Sequence, residues 1–129
     1  MAQTAVVYSG REFSIEYAVC LNEAMPARDF IEGQLNEREQ RQLMALFTRL
    51  GDIGEIRNPQ QFKKLEGKLW EFKRHQIRVA CFQQGHRWIL ASAFRKKRDN
   101  WPRQEIERAQ RIMQEHLARG AAPQGGWQP

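Results

Sequence analysis

Leu69-Trp70-Glu71-Phe72-Lys73-Arg74-His75-Gln76-Ile77-Arg78-Val79-Ala80-Cys81-Phe82-Gln83-Gln84-Gly85-His86-Arg87-Trp88-Ile89-Leu90-Ala91-Ser92-Ala93-Phe94 is the stretch that decides the fold. Trp70 and Phe72 share one face of its first segment, and in the second Ile77, Val79 and Cys81 alternate with Arg78, Ala80 and Phe82. The turn Gln83-Gln84-Gly85-His86 then leads into Arg87 through Phe94. Period-two alternation interrupted by tight turns predicts three short antiparallel strands. The alternation has a chemical consequence. If Ile77 and Val79 face a helical layer, Arg78 projects to the opposite, open face, where a ligand can meet it.

Upstream, Phe13, Ile15, Tyr17, Val19 and Leu21 are apolar at alternate positions, which predicts a half-buried strand. Ala5 to Tyr8 is a second extended candidate, and Ser9-Gly10 could turn it into the first. Pro26 opens a helical pattern through Phe30, Ile31 and Leu35, with Asp29 near its positive end. Asn36 followed three residues later by Glu39 reads as a capping box; Leu43, Met44, Leu46, Phe47 and Leu50 form the apolar stripe of a second helix that Gly51 ends. Two helices joined by about one residue predict a helical hairpin packed on the sheet. Downstream, Ile106, Ala109, Ile112, Met113 and Leu117 define a last helix from Pro102 to about Ala118.

The 129 residues suffice for one core, and the 41% hydrophobic, 28% charged composition is that of a globular chain. The net charge of +6 is unevenly placed. Residues 1–62 carry six Lys/Arg against nine Asp/Glu, whereas residues 63–129 carry fifteen against six. A strongly basic second half points to a polyanionic partner, nucleic acid foremost. A membrane surface fits less well, because no helix joins a basic face to a large apolar one. Cys20 and Cys81 lie in apolar alternating segments with no signal-like run before them, which predicts a reduced cytoplasmic protein without a disulfide. His75, Cys81 and His86 lack the spacing of a zinc site, so no metal and no cofactor are expected. His86 and His116 read as plain surface residues.

Arg95, Lys96, Lys97 and Arg98 are four consecutive cations, and their mutual repulsion calls for an external anion. A solvated basic loop is the bland alternative. Taken together, Phe30-(x)4-Leu35, Lys63-Lys64-Leu65-Glu66-Gly67-Lys68-Leu69-Trp70-Glu71-Phe72, Arg78, Phe94-Arg95-Lys96-Lys97 with Pro102 eight positions beyond the phenylalanine, and Glu105-Ile106-Glu107-Arg108-Ala109 form a pattern. This pattern resembles the phage-derived HigB-like toxins of the RelE/ParE superfamily, over roughly residues 13–118. The resemblance implies a RelE-like α+β fold: an N-terminal strand, a helical hairpin, a three-stranded antiparallel meander and a C-terminal helix. They would form a single domain over residues 1–119, with residues 120–129 a tail expected to be disordered. The implied activity is that of a type II toxin, a metal-independent endoribonuclease cutting messenger RNA in the ribosomal decoding site. The implied partners are the ribosome with its messenger and a helix-turn-helix antitoxin from an adjacent gene; no membrane is involved.

Metal-free scission needs a base for the 2′-hydroxyl, cations for the charge developing at phosphorus and an acid for the leaving 5′-oxygen. Arg78 suits the phosphate clamp, since a guanidinium grips phosphate oxygens in a fork and keeps its charge. Lys96 and Lys97 match the family's basic pair. A lysine crowded among Arg95, Arg98 and Arg78 is expected to release its proton more easily, which suits a relay. Docking of ribosomal RNA without chemistry is the competing role for the pair. Lys63, Lys64, Lys73, Arg74, Arg95 and Arg98 read as docking charges. Glu71 is a conditional base or a structural ion-pair partner, and His75 at its turn is a further acid–base candidate.

Two positions depart from the family pattern. Ile77 stands where an aromatic is common, and Trp101 stands where a threonine often caps the last helix. The exchange removes a capping oxygen worth about 1 kcal/mol. It supplies a ring that could stack on a splayed base or pack against the helix. A ParE-like gyrase inhibitor and a non-catalytic RNA- or antitoxin-binding module on the same fold stay open as alternatives.

Overall fold

Six strands and three helices make up the described part of the chain, residues 5–97 and 100–121 of a computed structural model. In order they are β1 (Val6–Ser9), β2 (Ser14–Tyr17), α1 (Pro26–Gln34), α2 (Glu37–Ile53), β3 (Phe62–Glu66), β4 (Leu69–Arg74), β5 (Ile77–Gln84), β6 (Arg87–Arg95) and α3 (Arg103–Ala121). The strands form one mixed sheet in the order β1-β2-β6-β5-β4-β3. Strands β3 to β6 pair antiparallel with one another in succession, β1 and β2 form an antiparallel hairpin, and β2 runs parallel to β6 with Ile15 beside Trp88.

This architecture overturns the expected helical hairpin on a three-stranded meander with a single N-terminal strand. The meander exists as β4–β5–β6, but it is the middle of a wider sheet. At one edge β3 sets Phe62 against Phe72 while Lys63 and Lys64 stay exposed, so an edge strand with two wet faces shows little alternation. At the other edge, Ser9-Gly10 does turn β1 into β2. Strand β2 stops at Tyr17; Leu21 is exposed, and Ala18 and Cys20 join the core beneath α3.

Pro26 occupies the first turn of α1, and Asn36 and Glu39 form the predicted capping box of α2. The second helix runs past Gly51 to Ile53, where Gly54 takes a left-handed φ of 90° and donates its N–H to the Leu50 carbonyl. Gly51 is small for a different reason. Its backbone lies against Gly10, and its carbonyl accepts from the N–H groups of Glu12 and Phe13, so the β1–β2 turn is seated on the helix. The α1 helix packs chiefly on β6 and α2 on β1, β2 and β4, so each is held by the sheet more than by the other.

Helices cover both faces. Ile77, Val79, Cys81, Phe72, Trp88 and Leu90 meet Leu43, Phe47 and Leu50 of α2 and Ile31 of α1. Phe47 stands edge-on to Phe72 at 5.0 Å, and full burial of each such ring contributes about 1.5–3 kcal/mol. On the reverse face Leu69, Ala80, Phe82, Ile89 and Ala91 meet Ile106, Ala109 and Ile112 of α3. Arg103 clasps Glu66 with both arms at 2.8 and 2.9 Å and Gln110 adds a third bond, which ties the start of α3 to β3. Near its other end His116 Nδ1 accepts from the Val19 N–H at 3.0 Å, so this histidine is a structural acceptor and not the plain surface residue the sequence suggested. Cys20 and Cys81 are buried free thiols. Among the described residues no helix is long and apolar enough to cross a membrane. The predicted tail falls almost wholly outside the described residues.

Candidate functional site

The alternation along β4 and β5 sends Glu71, Lys73, Arg78 and Ala80 to the face that carries α3. Lys63 of β3 lies directly across from Glu71, and Lys73 directly across from Arg78. Like charges opposed across two strands destabilise a sheet, so the Lys73/Arg78 pair is a cost that stability alone does not explain.

A bulge in β6 completes the cluster. Ala80 pairs with Ser92 and Cys81 with Leu90, so Ala91 is an extra residue and the alternation slips by one. Before the slip Ile89 and Ala91 face α3; after it Ser92, Phe94 and then Lys96 do. The bulge therefore brings Lys96 diagonally beside Arg78, about 7–8 Å along the sheet. It also turns Arg95 to the other face, where both arms hold Glu39 of α2 at 2.9 and 3.2 Å.

Arg78 projects away from α1 and α2 as its alternation requires, but the face it meets is not open. Its side chain is only 11% exposed. Nη1 donates to the carbonyls of His75 at 2.6 Å and Ile77 at 3.0 Å, and Nε lies 3.8 Å from Glu71 Oε1 without forming a hydrogen bond. Burial pulls the guanidinium below its ordinary range and Glu71 pushes it back. The Glu71 carboxylate is itself buried and accepts the indole N–H of Trp101 at 2.9 Å. Trp101 stands edge-on to Phe94 at 4.7 Å, so its ring roofs the Glu71–Arg78 pair and is not a free stacking platform.

Lys73 is the residue whose part sequence reasoning missed. Burial first, then Lys63, Arg78 and Lys96, hold its ammonium below the ordinary lysine range, with Glu71 opposing them. The warning in the sequence was its register: five positions before Arg78 across a two-residue turn puts the two cations face to face.

The other expected residues are dispersed. Lys64 is exposed and pairs with Trp70 on the opposite face. Arg74 turns toward α2. His75 is exposed with a positive φ of 53°, and its contribution to Arg78 is its carbonyl. Lys97 is exposed beyond the end of β6, and Arg98 lies outside the described residues. The arrangement can therefore present Lys63, Lys73 and Lys96 to an anion around one carboxylate, with Arg78 held beneath Trp101 at their centre.

A family model described as Phage derived protein Gp49-like (DUF891) matches residues 32–114, well over half of the chain. That span includes every residue of this cluster, whereas β1 and β2 precede it. No curated protein matches the chain.

Proposed function

Because this chain belongs to the Gp49-like family of phage-derived proteins, within the RelE/HigB-like toxin group, we propose that it is a ribosome-dependent endoribonuclease toxin. The family is associated with toxins of toxin–antitoxin pairs. The observation that carries the finer reading is the convergence of Arg78, Lys73, Lys96 and Lys63 around buried Glu71. In the reaction the 2′-oxygen of the messenger attacks the adjacent phosphorus, a base takes the hydroxyl proton, and the 5′-oxygen leaves with a proton from an acid. Lys96, with Lys97 at the rim, and Arg78 once Trp101 moves aside, stabilise the charge on the phosphorane oxygens. Lys73, already inclined to give up its proton, is suited to proton transfer, and Glu71 becomes available as a base once Trp101 swings off it. An antitoxin encoded beside the gene would hold the protein in check.

Purified protein added to a translating extract is expected to yield messenger fragments cut in register with codons. Arg78→Ala combined with Lys97→Ala abolishes them, and an intact messenger with the wild-type protein contradicts the proposal. A second reading draws on the Trp101–Glu71 bond, which closes the carboxylate off. On that reading the protein is a non-catalytic RNA- or antitoxin-binding module, and it shows salt-sensitive RNA binding with no fragments.

A further inference from the structure

A second concentration of positive charge lies on the outer face of α2, across the sheet from Glu71. Arg38, Arg41 and Arg49 come from the wet stripe of the helix and Arg74 from the end of β4; together with Gln42 and Gln61 they line a groove of about 400 Å³. Among the described residues none of these four arginines has a carboxylate partner, although Arg57, Arg95, Arg103 and Arg111 each find one. The Nε of Arg74 is buried with nothing to accept its proton. Four uncompensated like charges are a cost that an entering anion removes.

We propose that this groove binds the phosphate backbone of double-helical RNA, as a docking surface separate from the scission cluster. Guanidinium forks match phosphate oxygens in pairs. Arg38 to Arg49 spans roughly 16 Å of helix at 1.5 Å per residue, a row fit for successive phosphates and too long for one small anion. Among the described residues no aromatic side chain lines the groove, so they offer no platform for a splayed base. A duplex, whose bases face inward, needs none. Arginine clusters can also read acidic motifs, and a polyglutamate ligand tests that occupant against the duplex. Strand β4 directs Lys73 to one face and Arg74 to the other, so structured RNA docked in the groove sits just behind the cluster that would meet the messenger.

The inference rests on the endoribonuclease reading for its biological sense but is tested apart from it. A labelled duplex RNA of about 20 base pairs is titrated by anisotropy at several salt concentrations against wild type, Arg41→Ala/Arg49→Ala and Arg78→Ala/Lys97→Ala, with a polyglutamate peptide as the comparison ligand. Arg41 and Arg49 are exposed, so their double variant is expected to fold, and circular dichroism verifies the fold of both double variants at the titration temperature. The expected result is duplex affinity at least about tenfold weaker for Arg41→Ala/Arg49→Ala at low salt, with a log–log salt slope shallower by about 1.5–2. The Arg78→Ala/Lys97→Ala protein keeps most of its duplex binding. Unchanged duplex binding by Arg41→Ala/Arg49→Ala overturns the proposal, as does polyglutamate binding that depends on these arginines when duplex binding does not. Groove-dependent duplex binding by a wild type that cuts no messenger supports the docking surface and defeats only the nuclease reading.

Discussion

The indole N–H of Trp101 reaches the carboxylate of Glu71 at 2.9 Å, joining residues thirty positions apart. That bond closes the segment after β6 onto β4 and seals Arg78 beneath it. Replacing Trp101 by phenylalanine keeps an aromatic edge for Phe94 but leaves the buried carboxylate one donor short. The expected cost is about 1–3 kcal/mol. A thermal melt is expected to fall by roughly 3–6 °C for each kcal/mol. An unchanged melting temperature would mean that the roof contributes nothing to the fold.

Arg78 serves the fold as well as the proposed chemistry, and the two roles can be separated. Arg78→Ala strands Glu71 in the core without its cation and is expected to destabilise by about 3 kcal/mol. Arg78→Lys keeps the charge but cannot hold the His75 and Ile77 carbonyls while also facing Glu71. It should recover most of the stability and little of the RNA cleavage. Full cleavage by Arg78→Lys speaks against a guanidinium clamp.

The seat of the β1–β2 turn on α2 gives a steric test. A Cβ at Gly10 would collide with the backbone carbonyl group of Gly51, which cannot swing aside as a side chain could, so Gly10→Ala must push the hairpin off the helix. The expected loss is about 1–3 kcal/mol. Gly33 in α1 has nothing within 4 Å of its would-be Cβ, and Gly33→Ala is expected to gain about 0.5–1 kcal/mol. Urea unfolding of the two variants reads both signs; equal midpoints contradict the packing described.

His116 predicts a pH dependence. Its Nδ1 accepts from Val19, and burial foremost, then Arg87, holds its pKa below the ordinary 6.5, with Glu16 opposing. The unfolded chain therefore takes up this proton first. Stability contributed by the neutral ring is whole above pH 6.5 and is lost as the pH falls through the lower folded value. His116→Ala loses about 1 kcal/mol at pH 7.5 and shows a smaller further decline toward pH 5 than the wild type. Parallel declines in the two proteins would remove the histidine from the account.

Local rules made much of the core legible. The alternation of Ile77, Val79 and Cys81 against Arg78 placed Arg78 on the correct side of the sheet, and the Asn36–Glu39 box marked the start of α2. Non-local features stayed hidden. The parallel pairing of β2 with β6 leaves no turn signal, and β3 is an edge whose lysines obscure its period. The extra residue Ala91 leaves no mark in composition, yet it decides that Lys96 joins Arg78 and that Arg95 goes to Glu39. The exchange at Trp101 was visible, but not that its N–H would find Glu71 and cover the face expected to be open.

The most direct test of the central claim is the chemistry of the RNA ends left in a translating extract. Attack by the 2′-hydroxyl predicts 2′,3′-cyclic phosphate on upstream fragments and 5′-hydroxyl on downstream ones, at codon-phased positions, with Lys96→Ala/Lys97→Ala suppressing both at an unchanged melting temperature. Uncut messenger, or ends bearing 5′-phosphate, would contradict it.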